Sequence, residues 1–346
     1  MIRLGFAGVG WIGRNRMEAI LGTGLAEAVG IFDPSPEMAS SAQVLAPAAI
    51  VAGSFDELLA LRPDGVVIAS PNALHADQSI RAFNSGAAVF CQKPLGRSTG
   101  EVESILAAAR RADRLLGVDM SYRFTAAMEA IRELVRGGGL GEVFAAELVF
   151  HNAYGPGNAW FWNPVLSGGG CLIDLGVHLV DLALWLFDFP EVRNVHGQLF
   201  REGRPPRPDE VEDFALASFD LADGPHVRIA CSWNQAAGGD AVIRAAFHGT
   251  KGGAEMRNVD GSYTDFIAER FEGRSAERIC SPPDQWGGRA AVRWIEQLAR
   301  GDRFAGSTPN VGETALLLDR VYENSRAGDR PAILSGAEAQ PRAYPR

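Results

Sequence analysis

Positive charge is the scarcer sign in this 346-residue chain: 33 Lys and Arg stand against 42 Asp and Glu, a formal net charge of −9. Such a surface repels phosphate backbones, which argues against nucleic acid as a partner. Cysteine is also scarce. Cys91, Cys171, Cys231 and Cys280 lie far apart with no CxxC spacing, so neither a zinc site nor a disulfide framework follows, and no metal is expected. No uninterrupted apolar run approaches the roughly 20 residues that span a bilayer, so no membrane role is expected. The opening Met1-Ile2-Arg3-Leu4-Gly5-Phe6-Ala7 leads straight into a glycine-rich turn with no room for a signal peptide, and a cytoplasmic location is expected.

With 47% hydrophobic and 22% charged residues the chain can build ordinary cores, and its length suits two domains. In the first third, short apolar runs alternate with helical stretches: Leu4–Val9, Ala26–Phe32, Gly65–Ala69, Ala87–Cys91 and Leu115–Met120 read as strands, Trp11–Leu21 as a helix. Repeated strand–helix units predict a doubly wound parallel sheet over residues 1–121. The rhythm then changes. Gly141–His151, Val211–Leu221, His226–Asn234 and Ala241–His248 read as strands, two of them separated by the turn Ala222-Asp223-Gly224-Pro225, which favours a mostly antiparallel sheet in a second domain, 122–334. One apolar helix, Cys171–Phe187, lies between these strands. Helices near Arg289–Arg300 and Val311–Ala327 follow, and residues 335–346 form a tail. The fold class expected is therefore α/β.

Gly8-Val9-Gly10-Trp11-Ile12-Gly13 is a GxGxxG that follows a predicted strand, opens a predicted helix and stands 20 residues before Asp33 at the end of the next strand. That context makes it a dinucleotide site. Gly8 permits the turn, Gly10 leaves the backbone bare for a pyrophosphate, and Gly13 lets the helix pack closely. N–H groups at the helix start favour the phosphates. Asp33 can accept from both adenosine ribose hydroxyls and would repel a 2′-phosphate, so NAD is expected over NADP.

Two further segments carry chemistry. Lys93, in Cys91-Gln92-Lys93-Pro94-Leu95, follows an apolar strand whose C-terminal end is where such sheets hold ligands, and its ammonium can point at nicotinamide and substrate. Asp174, His178 and Asp181, placed four and then three apart, fall on one face of an otherwise apolar helix. Burying such groups costs several kcal/mol unless they have partners or a task, by about the usual transfer estimates. Histidine suits proton transfer near neutral pH, and Asp181 reads as support for it.

The order of these motifs resembles the glucose–fructose oxidoreductase/inositol 2-dehydrogenase family (Gfo/Idh/MocA) over nearly the whole chain. The shared elements are the GxGxxG, Ser70-Pro71-Asn72-Ala73-Leu74-His75, Lys93-Pro94, Tyr122-Arg123-Phe124, the GGG-x3-D-x3-H segment from Gly168, and Tyr322-Glu323-Asn324-Ser325. The resemblance implies that Lys93 is the catalytic, nicotinamide-side lysine and that Asp174 and His178 form the substrate-binding and proton-transfer pair. It further implies that Ser70, Pro71, Asn72 and His75 line the cofactor cleft, that Trp11 and Ile12 lie near the nicotinamide end, and that the large, open second sheet joins copies into a homodimer or homotetramer. The family usually has Glu-Lys-Pro; here Gln92 removes the negative charge beside Lys93, which brings the lysine's proton affinity into question.

The expected reaction is reversible oxidation of a secondary alcohol on a sugar, polyol or derivative, with His178 taking the hydroxyl proton and Lys93 and Asp174 orienting the substrate. Tyr154, Trp160, Phe161 and Trp162 suit a wall for carbohydrate C–H faces, with Asn152, Asn158 and Asn163 near hydroxyls, although buried aromatics also serve as plain packing. Arg123 can meet an acidic substrate or brace the domain junction by an ion pair; the brace is favoured. Two rival readings are a dinucleotide-binding sensor without turnover and a glycosidase that uses NAD for transient oxidation.

Overall fold

Six strands form the first sheet: β1 (Ile2–Ala7), β2 (Ala26–Phe32), β3 (Ile50–Val51), β4 (Gly65–Ile68), β5 (Ala88–Cys91) and β6 (Leu116–Val118). They run parallel in the order β3-β2-β1-β4-β5-β6. The order reverses at β1, and the glycine turn lies at its C-terminal end, the place where doubly wound sheets leave a crevice. These positions come from a computed structural model describing residues 1–304 and 310–326; the expected tail 335–346 and positions 327–334 lie outside the described residues.

The helices of this half are α1 (Trp11–Leu21), α2 (Pro36–Gln43), α3 (Phe55–Ala60), α4 (Asn72–Asn84) and α5 (Thr99–Ala112). A serine oxygen caps each of α2, α3 and α5, from Ser35, Ser54 and Ser98. Such caps satisfy N–H groups that a helix start otherwise leaves open. Helix α1 has neither a side-chain cap nor an acidic residue in its first turn.

The second sheet has eight strands: β7 (Val143–Asn152), β8 (Val192–Phe200), β9 (Phe214–Leu221), β10 (His226–Ser232), β11 (Ala241–Gly249), β12 (Gly253–Asn258), β13 (Phe266–Glu272) and β14 (Ser275–Cys280). Their order is β14-β13-β12-β11-β7-β10-β9-β8, antiparallel except where β10 lies parallel to β7. The exception follows from connectivity. The chain leaves β7 through a loop and a helix before β8, β9 and β10 return as a meander, and a crossover that long allows parallel pairing. Helices α6 (Ala126–Arg136), α7 (Pro164–Ser167) and α8 (Val177–Leu186) belong to this half, and α6 and α8 pack against the sheet.

The stretch Pro164–Leu186 is, at 23 residues, long and apolar enough by length and composition to cross a membrane, but 94% of its apolar window is buried inside the fold, as in a globular core helix. The chain beyond 121 also makes contacts back to the first half. Helix α9 (Arg289–Ala299) returns to β5, β6 and α1, where Trp294 is buried against Phe90, and α10 (Val311–Arg326) packs on both α5 and β8. One apolar cluster runs without a break from Val66, Ile68 and Val89 of the first sheet to Leu148, Phe150 and Leu179 of the second half. The two sheets are thereby held in fixed relation around the crevice.

Candidate active site

The glycine turn has the form its spacing predicts. Gly8 adopts φ +79°, and a Cβ there would stand 2.5 Å from the Ala69 carbonyl carbon; at Gly13 it would stand 2.0 Å from the Gly8 oxygen. At Gly10 a Cβ would meet nothing within 4 Å, so that side of the turn is open. Asp33 faces the same turn. Its Oδ2 accepts from Val9 N at 2.8 Å and its Oδ1 from Ser35 N at 2.9 Å, which leaves each oxygen with capacity for one more donor. Trp11 is 81% exposed beside the opening, and Ile12 is half-buried.

The segment after β4 divides. Ser70 and Pro71 are partly exposed, and Ser70 Oγ donates to Gln78 Oε1 at 2.6 Å. Asn72 and His75 are both buried, with side chains bonded to backbone carbonyls. Asn72 is buried, its Nδ2 donating to Ser167 O at 2.8 Å, so it joins α4 to the turn ahead of α8. His75 is wholly buried, with Nδ1 2.7 Å from Pro94 O and Nε2 2.7 Å from Ser70 O. It ties the two segments together from below, and burial lowers its pKa from 6.5. Both side chains turn inward because the carbonyls they serve would otherwise be buried without a partner.

Lys93 and Asp174, 81 residues apart, meet across the junction. Lys93 Nζ donates to Asp174 Oδ1 and to the Asp174 carbonyl, both at 2.8 Å. The other carboxylate oxygen, Oδ2, accepts from Trp233 Nε1 at 3.2 Å. The segment holding Asp174 is not the plain α-helix expected: Leu172–Gly176 is a π turn that passes into α8. The cause lies just upstream. Glu212 Oε1 accepts from Gly170 N and Leu172 N, both at 3.0 Å, and from Tyr322 Oη at 2.8 Å, while Glu212 O accepts from Cys171 N at 3.0 Å. A Cβ at Gly170 would lie 1.8 Å from that carbonyl oxygen.

His178 is 7% exposed, with its ring 4.7 Å from Tyr122 and 6.4 Å from Phe150. Among the described residues neither ring nitrogen has a hydrogen-bond partner, and neither is among the sealed polar atoms left without one, so the polar edge keeps some access to solvent. Burial drives its pKa well below 6.5, and the positive charges of Lys93 and Arg16 push it the same way. The imidazole is therefore neutral at physiological pH, the state a general base needs.

Arg123 and Asp181 are committed to each other. Arg123 Nε donates to Asp181 Oδ2 at 2.6 Å, a second guanidinium nitrogen bonds Oδ1, and the guanidinium lies 5.1 Å from the Phe189 ring. The pair ties the segment after β6 to α8.

In the loop after β7, Tyr154 is 53% exposed with Tyr263 6.2 Å away, and Asn158 is exposed. Trp160 stacks on Phe161 at 3.8 Å. Trp162 donates to Pro156 O at 3.1 Å, lies 5.0 Å from Trp233 and carries the Arg201 guanidinium at 4.6 Å. The loop thus leans on the indole that bonds Asp174.

Sequence reading missed Trp233, Glu212, Arg16 and Asp119. Asp119, an acidic residue ending an apolar strand, carried the same signal that singled out Lys93. The other three gave none, since a buried arginine on a helix and a tryptophan closing a strand look like surface and core.

A parallel sheet whose strand order reverses beside an uncapped helix start, joined to a large second sheet, defines the dinucleotide-binding oxidoreductase class. Comparison with known proteins gives the family: residues 2–120 match the oxidoreductase-family model with an NAD-binding Rossmann fold, and residues 128–255 match the GFO/IDH/MocA C-terminal domain. The chain belongs to the Gfo/Idh/MocA family. A D-glucoside 3-dehydrogenase of Escherichia coli (strain K12) is 30% identical over 233 residues, 63% of this chain and 66% of that one, so the match spans just under two thirds of that relative. Two solved structures share the fold. GenD2 from gentamicin A biosynthesis, in complex with NAD, has a TM-score of 0.79 at 22% identity over 94% of this chain and 95% of that one. A 3-ketoreductase from Actinomadura kijaniata, with NADP, has a TM-score of 0.79 at 21% identity over 93% and 97%.

Proposed function

We propose that the protein is a dehydrogenase/reductase that moves a hydride between nicotinamide and a secondary hydroxyl of a sugar, polyol or close derivative, preferring NAD to NADP. The observation that carries this reading is the Lys93–Asp174 contact of 2.8 Å beside a histidine held neutral by burial and two cations. The first-domain residues fit the cofactor: Gly10 leaves space at an uncapped helix start for a diphosphate, and the spare lone pairs of Asp33 suit ribose hydroxyls but not a 2′-phosphate. Bound there, the nicotinamide ring supplies the hydride acceptor.

The protein's own part is positional and electrostatic. Asp174 and Lys93 hold the hydroxyl oxygen, His178 takes its proton as the carbinol hydride leaves, and the ammonium of Lys93 stabilises the developing alkoxide. Tyr154, Asn158, Trp160 and Trp162 form the substrate wall, consistent with the carbohydrate named for the glucoside dehydrogenase relative. The open face of the second sheet carries a homodimer or homotetramer contact, and the site of action is cytoplasmic.

Incubating the protein with NAD or NADP and a panel of glycosides, cyclic polyols and sugars tests this. We expect net formation of reduced cofactor with at least one of them, faster with NAD. Hydrolysis without net reduction would favour the glycosidase reading, and tight NAD binding without either would favour a sensor. His178→Ala should lower kcat by about 10²–10⁴ while leaving NADH affinity close to unchanged; a near-normal kcat across pH would remove His178 from the mechanism.

A further inference from the structure

Gln92, next to Lys93, is buried at the C-terminal end of β5, and Asp119 is 1% exposed at the adjoining end of β6. The two side chains bond through Gln92 Nε2 and Asp119 Oδ2. The same oxygen accepts from Arg16 Nε at 2.6 Å, and Arg16, 6% exposed on α1, also bonds Asn15 Oδ1 at 2.6 Å. Asp119 Oδ1 is buried with no hydrogen-bond partner among the described residues. An arginine, a carboxylate and an amide thus form one buried cluster that adjoins Lys93 in the chain.

We infer that Asp119 is a positioning residue that supplies, from the neighbouring strand, the negative charge absent at position 92, neutralising Arg16 and fixing Gln92 so that Lys93 and His178 keep their working arrangement. This rests on the function proposed above and deepens it. Three facts support it. The cluster reaches Lys93 through the backbone, since Gln92 is its neighbour and Gln92 N is itself held by Ile68 O at 2.8 Å. Arg16 is close enough to act electrostatically on His178. A carboxylate half-satisfied in a buried place is costly unless something requires its charge. The charged and titratable groups around the cluster are Arg16 on α1, Lys93 after β5, Cys91 behind it on β5, Asp174 on the π turn and His178 on α8.

The test is a charge swap between two adjacent positions: Asp119→Asn, Gln92→Glu and the double variant, each compared with the natural protein. Asp119→Asn leaves Arg16 without a counter-charge, so the acid limb of the kcat/KM profile moves to lower pH. Gln92→Glu adds a second carboxylate, so the limb moves to higher pH. Each single change should lower kcat/KM about tenfold, and the double variant, which restores one amide, one carboxylate and the net charge, should recover to within about threefold of the natural protein. Thermal midpoints and NADH affinity of the four proteins should show the same non-additivity, and these readouts need no turnover, so they separate failure of this inference from failure of the proposed reaction. A double variant no better folded, or no more active, than Asp119→Asn overturns the inference, as does an Asp119→Asn protein with unaltered pH profile and midpoint.

Discussion

His75 and His178 are both buried and both held away from the charged state, yet for different reasons. Around His75 two backbone carbonyls compete for a neutral ring that owns one N–H, while burial, the stronger influence, opposes a second proton. Around His178 burial is joined by two cations. The linkage has one sign for both. Their folded pKa values lie below 6.5, so as pH falls through 6.5 the unfolded chain takes up protons that the folded chain refuses, and stability is lost on the acid side. Denaturant midpoints measured from neutral pH down to about pH 5 should therefore fall, and His178→Phe, whose ring suits the pocket of Tyr122 and Phe150, should show a shallower fall because the His178 share is gone while those of His75 and His151, also lowered by burial, are left. Identical slopes in the two proteins would show that His178 is not held neutral. Lys93, Asp174 and His178 were legible in sequence because each sits in a local motif. The Arg16–Asp119 pair was not, because its partners are 103 residues apart and, although Asp119 ends an apolar strand as Lys93 does, nothing local marks the two as partners.

Elements were legible in proportion to how strongly burial patterns them. Helix α1 has the bounds read from sequence, Trp11–Leu21, and β2 likewise runs from Ala26 to Phe32. Strands β3, β8, β12, β13 and β14 went unread; of these β8 and β14 are mostly exposed and lack an alternating apolar face. The π turn was invisible for another reason: hydrophobic periodicity cannot register one widened turn, and its cause, Glu212, lies 40 residues on from Leu172. The glycine run ahead of it is a steric requirement of that element. Gly170→Ala drives a methyl group to 1.8 Å from the Glu212 carbonyl oxygen, a backbone atom that cannot step aside. Displacing the turn would also break the bonds to Glu212 Oε1, so we expect a loss of about 3 kcal/mol or more in urea unfolding together with weaker substrate binding. An alanine variant of natural stability and KM would mean that Glu212 does not set the π turn.

At the scale of the molecule, the first sheet is covered by helices while one face of the second is not. That face bears a chain of ion pairs running across six strands, from Arg228 to Glu147, Arg244, Glu255, Arg257, Glu269 and Arg278. Exposed pairs of this kind add little to folding stability, about 0–1 kcal/mol each, so their number calls for another reason. In a protein of net charge −9, pairing every charge on one face makes that face close to neutral, which lowers the repulsion a second copy would meet. Beside the ladder, toward β9, the same face turns apolar: Leu216 is 38% exposed, and a groove runs along Val149, Ala230 and Ser218. A closed dimer interface must be self-complementary under a two-fold axis, and the oligomer proposed above would use this paired ladder and its apolar flank. Sedimentation should accordingly give a mass of two or four chains at micromolar concentration, and Leu216→Arg, which sets a charge in the apolar strip, should shift the population toward single chains without altering the unfolding midpoint of the isolated monomer. Raising the salt should change the association only weakly, because the ladder's charges are already paired within each copy and the contact is made by apolar area. A single-chain mass at every concentration would remove this face from the assembly.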